Sequence, residues 1–194
     1  MTPIPLGILA ASGIQVAAGA YDLLETEILT GTQASVTFSS LNSTYGADYQ
    51  HLQIRMSLRS DRAGQDNDVP LMTFNSDTGS NYAWHWLQGD GSSVTSAASS
   101  STTSMSFGYT STAATSGTDV FASNVIDILD PFETTKYTTI RQLGGNRSST
   151  RGFIFLTSGV WMNTAALTDI TIDQQYGSNW VSASRVSLYG LKGA

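Results

Sequence analysis

The stretch "YQHLQIRMSLRS" at Tyr49–Ser60 decides the fold class, because its side chains alternate in polarity. A period of two is typical of a β-strand with one face buried and the other in solvent. The pattern therefore predicts a half-buried strand, with Arg55 and Arg59 as outward-facing, solvated charges. The buried face is predicted to hold Leu52, Ile54, Met56 and Leu58, and the solvent face Gln53, Arg55, Ser57 and Arg59.

Ten further segments favour strands and are separated by turn-forming residues. No segment shows a sustained helical period; only "DPFETT" (130–135), with proline at a first helical position, is compatible with a helical turn. Short strands at this spacing predict an all-β antiparallel β-sandwich, jelly-roll-like for this size, in a single domain over residues 21–194. The ten segments are Tyr21–Leu29, Ala34–Leu41, Val69–Asn75, Tyr82–Gln88, Thr103–Thr110, Val120–Asp130, Lys136–Leu143, Arg151–Asn163, Leu167–Asp173 and Ser184–Lys192.

A run rich in serine and threonine extends from Ser92 to Thr118. A disordered linker is one interpretation of such low complexity. Met105, Phe107 and Tyr109 are spaced by twos in its second half, which favours a loop followed by a strand.

The first twenty residues, "MTPIPLGILAASGIQVAAGA", carry no charged side chain. A signal peptide would need a basic start, and prolines and glycines interrupt the apolar run, so neither a signal peptide nor a membrane span is expected. We interpret residues 1–20 as an apolar N-terminal arm that docks on its own domain or on a neighbouring chain. Its assembly contacts would be made by Ile4, Leu6, Ile8 and Leu9.

Composition excludes several classes of function. The net charge is −6, the two lysines are Lys136 and Lys192, and the seven arginines are dispersed. Binding nucleic acid through its phosphates needs a basic face, so no nucleic-acid partner is expected. The chain has no cysteine, which rules out disulfides, thiolate metal sites and cysteine nucleophiles.

The stretch "FNSDTGSNYAWHWLQGDGSS" (Phe74–Ser93) concentrates polar and aromatic residues. One carboxylate within "DTGSN" is too few for a calcium loop, so we expect a turn in which Asn75 and Asp77 bond the local backbone and Gly79 has a positive φ. His85 lies on the opposite strand face from its tryptophan neighbours. Neither a metal or cofactor site nor a catalytic set is predicted; the Gly-rich "QGDGSS" and "QLGGNRSS" are interpreted as hairpin turns.

Exposed aromatic residues are the remaining candidates for ligand contact. A flat ring face can stack on a sugar, although most tryptophans in a sandwich belong to the core or to an interface. Trp84, Tyr176 and Trp180 are the predicted glycan or partner contacts, with Trp86 and Tyr109 as further candidates.

The strands and their turns resemble a widespread family of tailed-bacteriophage virion proteins. The resemblance extends from Tyr21 to Gly193, and its most telling pieces are "FNSDTGSNY" with "GDGSS" (74–82 and 89–93) and the closing "SLYGLKG" (187–193). The family consists of small, often trimeric β-sandwich proteins placed as tail fibres, baseplate appendages or head decorations. It implies no enzymatic motif.

The resemblance implies a homotrimeric tail-fibre or baseplate appendage in the virion, assembled in the host cytoplasm with tail, baseplate or major capsid proteins as partners. The arm would dock on the particle, and loops 61–68, 90–101 and 144–150 would meet the environment. A capsid decoration protein and a host-glycan-binding module are alternatives. A glycan-cleaving enzyme is a third, but no carboxylate pair supports it.

Overall fold

The computed structural model describes residues 21–148 and 151–193, and the predicted all-β fold is confirmed. The described residues form fourteen strands and one five-residue helix, α1 (Leu41–Tyr45). The strands are β1 Asp22–Ile28, β2 Val36–Phe38, β3 His51–Leu58, β4 Asn67–Asp68, β5 Pro70–Phe74, β6 Tyr82–Gly89, β7 Val94–Thr102, β8 Met105–Ser106, β9 Ser111–Thr112, β10 Ala122–Leu129, β11 Thr138–Arg147, β12 Gly152–Trp161, β13 Ile170–Gln174 and β14 Arg185–Leu191.

Two antiparallel sheets of unequal width pack into a sandwich. The wide sheet has eight strands in the order β1-β14-β3-β10-β11-β12-β6-β7, and the narrow sheet has four in the order β2-β13-β5-β8. A short two-stranded ladder joins β4 to β9. The β-sandwich is therefore confirmed, whereas the jelly-roll connectivity is not.

The core lies between the sheets and is built from the alternating positions that the sequence indicates. The wide sheet contributes the four apolar residues of β3 predicted to be buried, together with Ile126, Ile128 and Leu188. The narrow sheet faces them with Phe38, Met72, Phe74, Ile170 and Ile172. Apolar burial of this kind is the main term that stabilises a sandwich.

Arg59 is not the solvated charge that the alternation predicts. Strand β3 ends at Leu58, and the next two residues form isolated bridges to Thr112 and Trp180, so the two-residue period no longer applies. The side chain of Arg59 is 8% exposed, and its guanidinium donates to backbone carbonyls within residues 114–120. Arg55 is exposed, as predicted, but Gln53, predicted on the same solvent face, is 5% exposed, and its side-chain amide donates to the Asp127 carboxylate at 2.8 Å.

Several element bounds also differ from the predictions. The strand predicted over Ala34–Leu41 ends at Phe38, and α1 follows because Leu41 turns into the core. "DPFETT" forms a hydrogen-bonded turn rather than a helical one, with the Glu133 amide bonded to the Asp130 carbonyl at 3.2 Å.

Two of the loops predicted to meet the environment are largely strands, and the third is partly buried. The serine-rich run forms β7 in its first half, where only a loop was expected, and β11 continues through Gly144 and Gly145 instead of turning there. In the 61–68 loop, residues 66–68 are buried because β4 pairs with β9.

Candidate functional site

The turn after β5 is held together by hydrogen bonds to the carboxylate of Asp77. Its carboxylate accepts hydrogen bonds from the Gly79 amide at 2.9 Å, from the Asn81 side chain at 2.9 Å and from the Trp161 indole at 2.8 Å. The Asn81 hydrogen bond is the main cause that holds the pKa of Asp77 below its ordinary value, because these donors favour the ionised form. Asp77 therefore anchors a buried tryptophan as well as its own turn.

The other two details predicted for this turn are wrong. The positive φ angles belong to Asn75 (51°) and Ser76 (53°) rather than to Gly79. The side chain of Asn75 does not bond its own turn; it accepts from the Thr168 amide at 2.7 Å and donates to the Ala166 carbonyl at 2.9 Å. Asparagine tolerates the left-handed region, and its long-range bonds hold it there.

Four of the five predicted stacking residues meet in one open groove of about 480 Å³. Trp84 and Trp86 project from the inner face of β6, where the narrow sheet ends at β8 and leaves them partly buried. This volume is within the usual range of ligand pockets. The complete lining is Val69, Leu71, Trp84, Trp86, Thr102, Thr103, Ser104, Ser106, Gly108, Tyr109, Gln175 and Tyr176.

A chain of ring contacts fixes the aromatic wall of the groove. Trp86 packs edge-on against Phe155, with centroids 5.3 Å apart; Phe155 contacts Phe153 at 6.2 Å, and Phe153 contacts Tyr109 at 6.2 Å. Gly108 lies against Phe155 with φ +68°, where a β-carbon would overlap the ring. Because the rings pack against one another and Phe155 also packs against Gly108, the rotamers of the aromatic side chains are restricted even without a ligand.

Tyr176, which also lines the groove, is positioned by buried polar groups. Its amide donates to the carboxylate of Asp68 at 3.2 Å, and the next amide, of Gly177, donates to the same carboxylate at 2.9 Å. Arg62 covers one ring face at 4.2 Å from the centroid. Tyr176 is nevertheless 51% exposed, so it gives the groove an accessible aromatic surface.

The groove offers uncharged polar groups beside its rings. Its lining holds four Ser or Thr hydroxyls and the Gln175 amide, and it includes no Asp, Glu, His, Lys or Arg. His85 points to the opposite face of β6, as predicted. Among residues 21–148 and 151–193, no group of three or more His, Asp or Glu side chains is placed to hold a metal ion.

Trp180 was predicted to contact a glycan or partner, and this is wrong. The side chain is fully buried in the core, and its indole donates to the Ile172 carbonyl at 3.2 Å. Backbone pairing with Gln33 and Ser60 draws it between the sheets. The predicted assembly residues Ile4, Leu6, Ile8 and Leu9 lie outside the described residues.

The outer face of the wide sheet carries an apolar row that was not predicted from the sequence. Val125, Leu143, Leu156 and Leu87 are successive cross-strand partners from β10 to β6, so their side chains share this face. With Ile154 and Val94 beside them, we call these six residues the apolar row. Each of the six is between 40% and 69% exposed. Exposed apolar patches of this kind mark interaction surfaces.

The two edges of the wide sheet differ in how they are protected. Edge strand β1 carries three carboxylates, on Asp22, Glu25 and Glu27, and charges at an edge discourage pairing with another strand. Edge strand β7 reads "VTSAASSST", is mostly exposed, and has neither a charged residue nor proline. The unprotected edge adjoins the apolar row, so both features lie at one end of the sheet.

Neither a scan of the chain against models of known protein families nor a search of curated proteins finds a match. The resemblance to phage virion proteins stays a prediction. Within the described part of the chain, no helix is long and apolar enough to cross a membrane.

Proposed function

We propose that this chain is a non-enzymatic structural protein of a bacteriophage virion, a homotrimer carried as a tail fibre or baseplate-attached appendage. A capsid decoration protein of the head shell is the alternative place in the same particle. The sequence resemblance supports the class of particle. The apolar row beside an unprotected edge supports the assembly, because a chain that works alone gains nothing from exposing both.

The energetics of the apolar row favour a larger interface centred on it. Fully burying a Val, Leu or Ile side chain stabilises by about 1.5–3 kcal/mol, so burying the exposed half of each contributes about 1 kcal/mol. Six such side chains contribute about 6 kcal/mol, near the lower end of the roughly 4–15 kcal/mol that association costs. Further contacts must therefore add to the row, and the free N–H and C=O groups along β7 can supply them by strand pairing.

A second copy of this chain fits this surface better than a charged partner does. A depression of about 390 Å³ lies over Gly144 and Gly145 on the outer face, bordered by Val125, Leu143 and Ile154. Projecting leucines of a neighbouring row can enter such a depression.

The experiment is a measurement of particle mass by sedimentation velocity over a range of protein concentrations. The native chain is expected at three times its mass of 20.6 kDa. Leu143→Glu with Leu156→Glu places charges in the centre of the row and is expected to give monomers that keep the native circular dichroism spectrum. A monomeric native chain, or a double variant that still forms trimers, contradicts the assembly.

The matched control is Leu23→Glu. Leu23 is 59% exposed, close to Leu143 at 54%, but it lies on β1 at the protected edge. The same substitution there is expected to leave the trimer intact. Imaging of the assembled particle then locates the protein: density on the tail or baseplate supports the appendage, and density on the head shell supports the decoration protein instead.

A further inference from the structure

The groove between β6 and β8 presents two tryptophans at a repeat that suits a chain-like ligand. Trp84 and Trp86 are two residues apart on one strand, which places their Cα atoms about 6.6 Å apart on the same face. Both rings line the groove, as does Tyr176. A ligand with repeating units can therefore contact more than one ring at once.

The remaining groups in the groove select a ligand that is both apolar and rich in hydroxyls. The side chains of Thr103, Ser106 and Gln175 line the groove and form no hydrogen bond with another described residue. They are available as donors and acceptors. Ring faces beside free hydroxyl and amide groups match the C–H faces and hydroxyls of a sugar.

The charge of the groove favours a neutral ligand over an anionic one. The lining contains no ionisable acid or base other than two tyrosines, and the chain as a whole carries a net charge of −6. An anionic polysaccharide would meet this net negative charge, and the nearby Arg62, which stacks on Tyr176 at 4.2 Å from the ring centroid, is not part of the lining. A neutral ligand avoids the much larger cost of removing a charge from water on entering such a site.

The site is also organised in advance. The ring contacts between Trp86 and Tyr109 hold the aromatic wall in place without a ligand. The hydrogen bond from the Tyr176 amide to the Asp68 carboxylate does the same for Tyr176. Binding then orders few side chains, which lowers its entropic cost. An extended proline-rich peptide also uses aromatic grooves, but it offers few hydroxyls for the polar wall to bond.

We propose that this groove binds a neutral oligosaccharide, with Trp84, Trp86 and Tyr176 stacking on sugar rings and Thr103, Ser106 and Gln175 bonding the hydroxyls. All of these residues belong to one chain. The proposal therefore stands or falls separately from the trimeric virion assembly.

The experiment immobilises neutral hexasaccharides of glucose, galactose, mannose and N-acetylglucosamine, with alginate and decaproline as comparison ligands. The native chain is expected to bind at least one neutral hexasaccharide and to ignore alginate. Trp86→Ala and Tyr176→Ala are each expected to weaken that binding by about tenfold, the effect of losing one stacked ring. The matched control His85→Ala, on the same strand but the opposite face, is expected to bind like the native chain.

Trp86→Phe guards against a loss of fold, because it keeps a ring against Phe155 and is expected to retain a measurable part of the affinity. Circular dichroism spectra of all variants should overlay. The proposal is overturned if no neutral hexasaccharide binds, if Trp86→Ala and Tyr176→Ala bind as well as the native chain, or if decaproline binds in place of the sugars.

Discussion

Replacing Arg59 with methionine tests the most unexpected feature of the core boundary. The guanidinium donates to the carbonyls of Ala114 at 3.2 Å, Ser116 at 3.1 Å and Val120 at 3.4 Å, and also to that of Gly117. These carbonyls belong to one irregular segment between β9 and β10. Methionine keeps much of the apolar stem but removes all of the donors, so this segment loses its main side-chain tether.

The expected loss in the free energy of unfolding is about 3 kcal/mol. A hydrogen bond to a charged group contributes about 1.5–3 kcal/mol, and two of the bonds, to Ala114 and Ser116, are well formed. We count these two at the low end, because some of the freed carbonyls can turn to water. For a domain of this size, 3 kcal/mol lowers Tm by about 6–12 °C.

The assay is thermal unfolding at a fixed protein concentration, since the proposed assembly would make Tm depend on concentration. Arg55→Met is the matched control from the same strand pattern. The Arg55 guanidinium lies 5.3 Å from the ring centroid of Tyr21 and 4.8 Å from that of Tyr189, and exposed cation–π contacts of this kind contribute about 0.5–1 kcal/mol each. Its loss of Tm should be smaller than that of Arg59→Met. Equal losses, or an Arg59→Met variant within about 2 °C of the native Tm, would refute the tether.

Two further predictions concern the turn after β5 and the groove. The Asn81 hydrogen bond holds the pKa of Asp77 below its ordinary 3.8, so the stability that the ionised carboxylate contributes is complete above that pH and is lost as pH falls through the folded-state pKa. The free energy of unfolding, measured with urea, should therefore fall less between pH 5 and pH 3 for Asp77→Asn than for the native chain. Equal decreases would contradict this. Gly108→Ala should cost about 2–4 kcal/mol, because φ is +68° and the new methyl overlaps Phe155. Gly64→Ala is the control, because Gly64 has the same kind of φ (+70°) but open space around it, so its cost is that of the backbone conformation alone. If the two variants lose equal stability in the same urea assay, the overlap with Phe155 is contradicted.

Much of the fold could be predicted from local patterns, because a strand with one buried face carries its own period. Leu52, Ile54, Met56 and Leu58 alternate with polar residues in the sequence and are buried in the structure as predicted. Arg59 continues the same alternation in the sequence, but its side chain is buried instead of exposed, because β3 ends one residue earlier. Where a strand ends is decided by pairing with distant residues, here Thr112, and a local pattern carries no information about them.

The candidate site shows the same division between local and distant information. The sequence identifies Trp84, Trp86 and Tyr176 as rings available for stacking, but it ranks Trp180 beside them, although that ring is buried. Exposure of a tryptophan depends on whether another strand covers it. The apolar row was missed for a related reason: Leu143 and Leu156 are ordinary members of alternating strands, and only the register places them side by side.

The unequal width of the sheets accounts for the groove, and strand alternation separates the groove from the apolar row. The wide sheet has eight strands and the narrow sheet four, so the inner face of β6 extends past β8 without a cover, and the groove is that uncovered part. On the same strand, alternation sends Trp84 and Trp86 inward to the groove and Leu87 outward to the apolar row. Under the two proposals, one strand thus serves a ligand with one face and a neighbouring chain with the other. Because a β-strand keeps its two faces apart, the proposed ligand binding and the proposed assembly can change independently.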